Sequence, residues 1–207
     1  MIKLNVFRDR AHENGVELAR WDGNEGTGEV DAFNLMYFDI GKMYVINKNN
    51  GWYISEKSYT RHEKYIDEIL SNDVIAITGA DFIQNFEWHI KDGFSHKITA
   101  LIIRVLDLCG QLGIDVDEII SSCEIIVPFD NETLMGVKIL ELQNWVTYAV
   151  TNDNGYHNGY HNGYDEESIV WVIIMAMAIA EQANINIEKY LEMVLRYREA
   201  KLREERK

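Results

Sequence analysis

Proline occurs once in the 207 residues, at Pro128, so almost no position forbids a long helix by ring clash or a missing N–H. Cysteine is nearly as scarce. Cys109 and Cys123 both fall in apolar helical pattern, which excludes a disulfide framework and leaves reduced core thiols in a cytoplasmic protein as the expectation. No apolar run reaches the roughly 20 residues of a membrane span; the longest, Ile169 to Ala180, predicts a buried helix and no membrane partner. Basic charge is short as well, with 20 Lys and Arg against 34 Asp and Glu and a net charge of -14. That balance argues against binding a DNA or RNA backbone, and the acids are too scattered for a mimic of one. Missing too are a GxGxxG turn, a P-loop, a nucleophile elbow and a CxxC pair.

What is present is helical periodicity. The stretch HKITALIIRVLDLCGQLGIDVDEII, from His96 to Ile120, carries Ile98, Leu101, Ile102, Val105, Leu106 and Leu108 at helical spacing, with Arg104 and Asp107 three apart. Gly113-Ile114-Asp115 reads as a stop followed by a fresh N-cap, and Glu118 completes a capping-box spacing. The unit is a helix, a tight turn and a helix. It returns: WVIIMAMAIAEQANINIEKYL, Trp171 to Leu191, lies over Ala100 to Ile120 without a gap, keeping Gln111 as Gln182, Ile114 as Ile185 and Asp117 as Glu188. A shorter echo precedes each copy, Leu35-Met36 and Ile40 against Leu134-Met135 and Ile139. Two diverged copies of one module follow, over 1–123 and 134–207, joined by a linker at 124–133, with a loop insertion at 152–165 built on NGYHNGYHNGY.

The remaining pattern predicts helices over Leu4 to Trp21, Val30 to Asn47, Thr60 to Leu70, Asp81 to Ile90, Leu134 to Ala149 and Ile187 onward, the last leaving the core at Arg196. A small hairpin near Trp52 and a strand at Val74 to Ile77 are the exceptions. The fold class is therefore all-α, a helix bundle, with a further homo-oligomerisation of the chain expected. The five tryptophans read most simply as core.

The segments FRDRAHENGVELARW and ALIIRVLDLCGQLGID resemble the MazG-type all-alpha nucleoside triphosphate pyrophosphatases, in particular the short MazG-like proteins common in phages. The resemblance covers about residues 5 to 121, with a weaker second copy over 130 to 200. It implies facing pairs of acids on two helices that hold magnesium against a nucleotide's phosphates while a metal-activated water cleaves between the alpha and beta phosphates. The acid positions before ALIIRVLDL fall on Lys97 and Ala100, and in the second copy on Ser168 and Trp171. On the preceding helices the pairs reduce to Asp39 with Lys42 and Glu141 with Asn144.

That departure favours nucleotide binding without hydrolysis and without a cofactor, with Lys97 contacting phosphate in place of the ion. In a phage setting such a protein would sequester a nucleotide or a nucleotide-derived signal in the host cytoplasm. The ligand-binding candidates are Trp21 for stacking, Asp39, Lys42, His96, Lys97, Arg104, Asp107, Glu141, Asn144, and Arg196 and Arg198 for closing over phosphates. The bland readings stand beside them: Arg104 and Asp107 as a structural ion pair, Glu87, His89, Asp92 and His96 as solvated helix-end groups rather than a replacement metal site, His157 and His161 as repeat slippage, and the charged tail as a solvated face. Two other functions stay open. One is an active magnesium-dependent pyrophosphatase using Asp39, Glu87, Asp107 and Glu141; the other is an acidic module that engages and inhibits a host protein.

Overall fold

A computed structural model describes residues 2–17, 27–50, 66–67, 79–91, 93–122, 134–151 and 165–206. Among them lie eight helices and no strand: α1 Leu4–Glu17, α2 Thr27–Asn50, α3 Gly79–His89, α4 Phe94–Leu112, α5 Val116–Ser122, α6 Met135–Thr151, α7 Glu166–Gln182 and α8 Ile187–Glu205. The all-α expectation holds. The hairpin near Trp52, the strand at 74–77, the linker, the NGYH loop, Cys123, Trp21, His157 and His161 lie outside the described residues. No single described helix is long and apolar enough to cross a membrane.

Four helices make the centre. α2 packs on α4 and α6 on α7, while α4 packs on α7 and α2 on α6, so the four close into a bundle with one shared core. α1 lies along α4, and α8 covers the flank formed by α1, α3 and α4. The reason is visible in α4: from Ile98 to Cys109 every residue except Arg104 is buried, on a helix too apolar to leave any side to water. Cys109 sits in this core, where burial pushes its thiol up to about 12 and keeps it inert.

The two turns match hydrogen bond for hydrogen bond under the overlay that lays Trp171 on Ala100. Gly113 N–H donates to Gly110 C=O and Ile114 N–H to Cys109 C=O; Asn184 N–H donates to Glu181 C=O and Ile185 N–H to Ala180 C=O. Gly113 (φ 71°) and Asn184 (φ 54°) both adopt the left-handed conformation that ends a helix in a Schellman motif. The next helix is then capped alike, Asp115 Oδ1 accepting from Glu118 N–H at 2.9 Å and Asn186 Oδ1 from Lys189 N–H at 3.3 Å. In the first copy the turn also anchors α1, because Asp117 accepts from the N–H groups of Leu4 and Asn5 while Asn5 Oδ1 accepts from Val116 N–H.

Two expectations change. The tail does not leave the core at Arg196: Tyr197 and Leu202 are buried, and Tyr197 stacks on Phe86 at 4.0 Å between centroids. The helical stripe simply continues beneath the charges, which pair sideways with α1 through Arg10 to Glu192 (2.5 Å) and Glu199 (2.9 Å). Nor is every tryptophan core. Trp145 and Trp171 stack on each other at 5.4 Å, but Trp88 is 76% exposed because Phe82, Phe86 and Ile90 already form the buried stripe of α3 and its end, and position 88 points the other way.

Candidate functional site

Arg104 is the one residue of the α4 mid-section that is not buried, and it opens onto a cleft of about 340 Å³ between α4 and the first turns of α2. The cleft is lined by Gly28, Asp31, Ala32, Asn34, Leu35, Arg104 and Asp107. Its volume is at the lower end of small-ligand pockets, roughly 300–1,000 Å³.

The two charged residues of α4 in this lining are held from behind. Asp39 of α2, 1% exposed, accepts from Arg104 Nε at 2.7 Å, so one edge of the guanidinium is clamped and its remaining N–H groups are aimed by the clamp. Arg104 is thus ion-paired, and its partner is Asp39 on the neighbouring helix, where the sequence spacing suggests Asp107. Asp107, 3% exposed, lies one turn further along α4 with Oδ1 3.4 Å from His12 Nδ1 of α1. Room for its carboxylate comes from Gly15: a Cβ built there would stand 2.3 Å from Asp107 Oδ1. A second glycine makes the same helix crossing possible, for a Cβ on Gly110 would stand 2.5 Å from His12 Cβ.

Of the sequence candidates, the structure gathers Asp39, Arg104 and Asp107. Lys97 is buried on α4 nearer its N-terminus, its ammonium 6.0 Å above the Phe38 ring, and exposed Lys42 lies 5.2 Å from the same ring. His96 turns the other way and meets Phe86 edge-on at 5.5 Å. Glu141 and Asn144 are exposed on α6, away from the cleft. Arg196 pairs with Glu192 at 2.6 Å on α8, as Arg198 follows on the same helix, so neither lines the cleft. Glu87 accepts from Tyr197 Oη at 2.8 Å, a bond that with Lys91 holds its carboxyl below the usual range. Among the described residues no three His, Cys, Asp or Glu side chains are grouped to hold a metal ion.

Sequence reasoning missed Gly28, Asp31, Asn34, His12 and Gly15. Gly28 belongs to a first turn of α2 that the glycines of 23–28 disguise as loop; Asp31 and Asn34 fall in the expected helix, but nothing local shows that they face Arg104, and His12 and Gly15 matter only because α1 lies against α4. Of the positions implied for magnesium-holding acids, those on α4 and α7 are covered to different degrees: Lys97, Ala100 and Ser168 are buried, and Trp171 is half-buried against Trp145. Ser168 Oγ donates to Asp165 Oδ2.

At three of the charged positions around the cleft the second copy differs. Met175 and Ala178 stand where Arg104 and Asp107 stand, and buried Lys138, whose Nζ donates to Gln182 Oε1, stands where Asp39 does. No family model matches the chain, and neither a curated protein nor a solved structure matches it.

Proposed function

We propose that this chain is a nucleotide-binding protein that holds its ligand in the cleft between α2 and α4 without hydrolysing it, one ligand per chain. The observation that carries the reading is Arg104, a guanidinium immobilised by buried Asp39 at the mouth of a cavity of small-ligand size. An immobilised guanidinium recognises a phosphate oxygen pair with little further entropy to lose. Beside it, Asp31, Asp107 and Asn34 offer acceptors suited to the N–H and O–H groups of a base or sugar. Three carboxylates around a single guanidinium repel a chain of phosphates, so the ligand that fits has one anionic group, a monophosphate or a cyclic phosphodiester. The absence of carboxylates at Lys97, Ala100, Ser168 and Trp171 supports binding over turnover.

The test is thermal unfolding in chelator with nucleoside mono-, cyclic and triphosphates. A ligand at a hundred times its dissociation constant adds about 2.7 kcal/mol, which raises the midpoint of a chain this long by roughly 5–10 °C. Monophosphates or cyclic nucleotides should give that shift and the double variant Asp39→Leu/Arg104→Met should abolish it. Replacing both members of the pair leaves no buried charge alone, so the fold survives. No shift with any nucleotide would sink the binder, and magnesium-dependent release of pyrophosphate would replace it with the enzyme.

A further inference from the structure

Large exposed apolar side chains are concentrated on two neighbouring helices. α2 exposes Leu35, Phe38 (54%), Tyr44 and Val45; α6 exposes Val137, Leu140 (51%) and Tyr148, with Leu134 just before it. The core needs none of these, because Met36, Ile40 and Met43 of α2 and Ile139, Leu142 and Val146 of α6 already fill its inner side. On a chain of net charge -14 the outer face of this pair carries few charges, with Lys42 and Glu141 of opposite sign among them. An outer side this rich in exposed apolar side chains and this poor in charge, even with Asn34, Gln143 and Asn144 among them, marks an interaction surface.

Its occupant follows from its symmetry. α2 and α6 run antiparallel: Tyr37 Oη meets Thr147 Oγ1 at 2.9 Å, and toward the other end Gly136 lies beside Asn47. Counting inward from those two contacts brings Lys42 level with Glu141, at the middle of the face. Helical spacing sets Lys42 on the edge of α2 remote from α6, the edge that Asp31 and Leu35 share with the cleft. It sets Glu141 on the edge of α6 remote from α2, one turn from Trp145, which stacks on α7. The two opposite charges therefore sit at mid-height on opposite borders of an apolar field.

We propose that a second copy of this chain docks here, in a two-fold dimer whose axis runs along the helices. Rotation about that axis lays Lys42 of each copy over Glu141 of the other, and Phe38, Tyr44, Val45 and Leu140 are buried between them. The seventeen residues of α6 rise about 25 Å, and two adjacent axes about 9 Å apart give an outline on the order of 500 Å². Standing side chains raise the accessible area toward the roughly 800 Å² per partner of a stable interface. Such a contact is isologous and closes on itself, so it stops at two copies. It is also the direction from which two acidic molecules approach with least repulsion.

Sedimentation velocity of the full chain decides it. The wild type should sediment as a particle of twice 24.1 kDa, and Leu140→Asp and Tyr44→Asp should each yield the monomer with unchanged helical circular dichroism. Lys42→Glu alone should raise the dissociation constant about tenfold, since it creates a like-charge pair at two places in the dimer. Adding Glu141→Lys to it should restore the wild-type constant, because the pair is then merely reversed. A wild type that stays monomeric at micromolar concentration overturns the proposal. So does a dimer indifferent to Leu140→Asp, or a Lys42→Glu defect that Glu141→Lys leaves uncorrected.

Discussion

Gly110→Ala tests a close approach of α1 to α4. The added Cβ would stand 2.5 Å from His12 Cβ, whereas carbon atoms rest about 3.5–4.0 Å apart. A rotamer change at His12 relieves nothing, because its Cβ is fixed to the α1 backbone, so α1 itself must retreat from α4 by about 1 Å. Overpacking of that kind costs about 1–3 kcal/mol, and the better helix propensity of alanine returns at most about 1 kcal/mol. The net loss of about 1–2 kcal/mol should lower the unfolding midpoint by roughly 2–8 °C, read by circular dichroism at fixed protein concentration. The mechanism is isolated by the double variant His12→Gly/Gly110→Ala, which removes the atom that is struck. That variant should be no less stable than His12→Gly alone, giving a favourable coupling of about 1–2 kcal/mol. If the two losses simply add, or if Gly110→Ala raises the midpoint, the helix crossing is not limited by these two atoms.

The paired turns predict opposite responses to opposite substitutions. Asn184→Gly should raise the midpoint by about 2 °C, because glycine adopts φ 54° without the Cβ penalty, while Gly113→Ala should lower it by a similar or larger amount; equal signs for the two would refute a shared left-handed cap. Acid should loosen the α1–α8 contact. Burial pushes the Glu192 carboxyl up, hydrogen bonds from Arg10 and Arg196 outweigh it, and the net displacement is downward. A folded-state value below the unfolded one means that the stabilisation is present above the ordinary carboxylate range, near pH 4, and drains away as pH falls through the folded value. Glu192→Gln should therefore be less stable than wild type at pH 6, and the difference should shrink as pH falls below about 4; a gap that does not change with pH would show that the charge is not what matters.

Local patterns in the chain were enough for the helices and for the repeated turn. The six-residue signal from Cys109 to Ile114, echoed from Ala180 to Ile185, specifies its hydrogen bonds through nearby backbone groups, so reading the residues was close to reading the geometry. Arg104 and Asp107 could be singled out for the same local reason, as charges on an otherwise apolar helix. Their partners could not. That Arg104 meets Asp39, that Asp107 lies over Gly15 and near His12, and that Lys42 and Glu141 stand level on neighbouring helices depend on how α1, α2 and α6 are laid around α4 and α7. Helix placement is set by the summed packing of many apolar side chains, a non-directional force with no residue-by-residue signature, and only when it is complete do distant polar groups acquire neighbours.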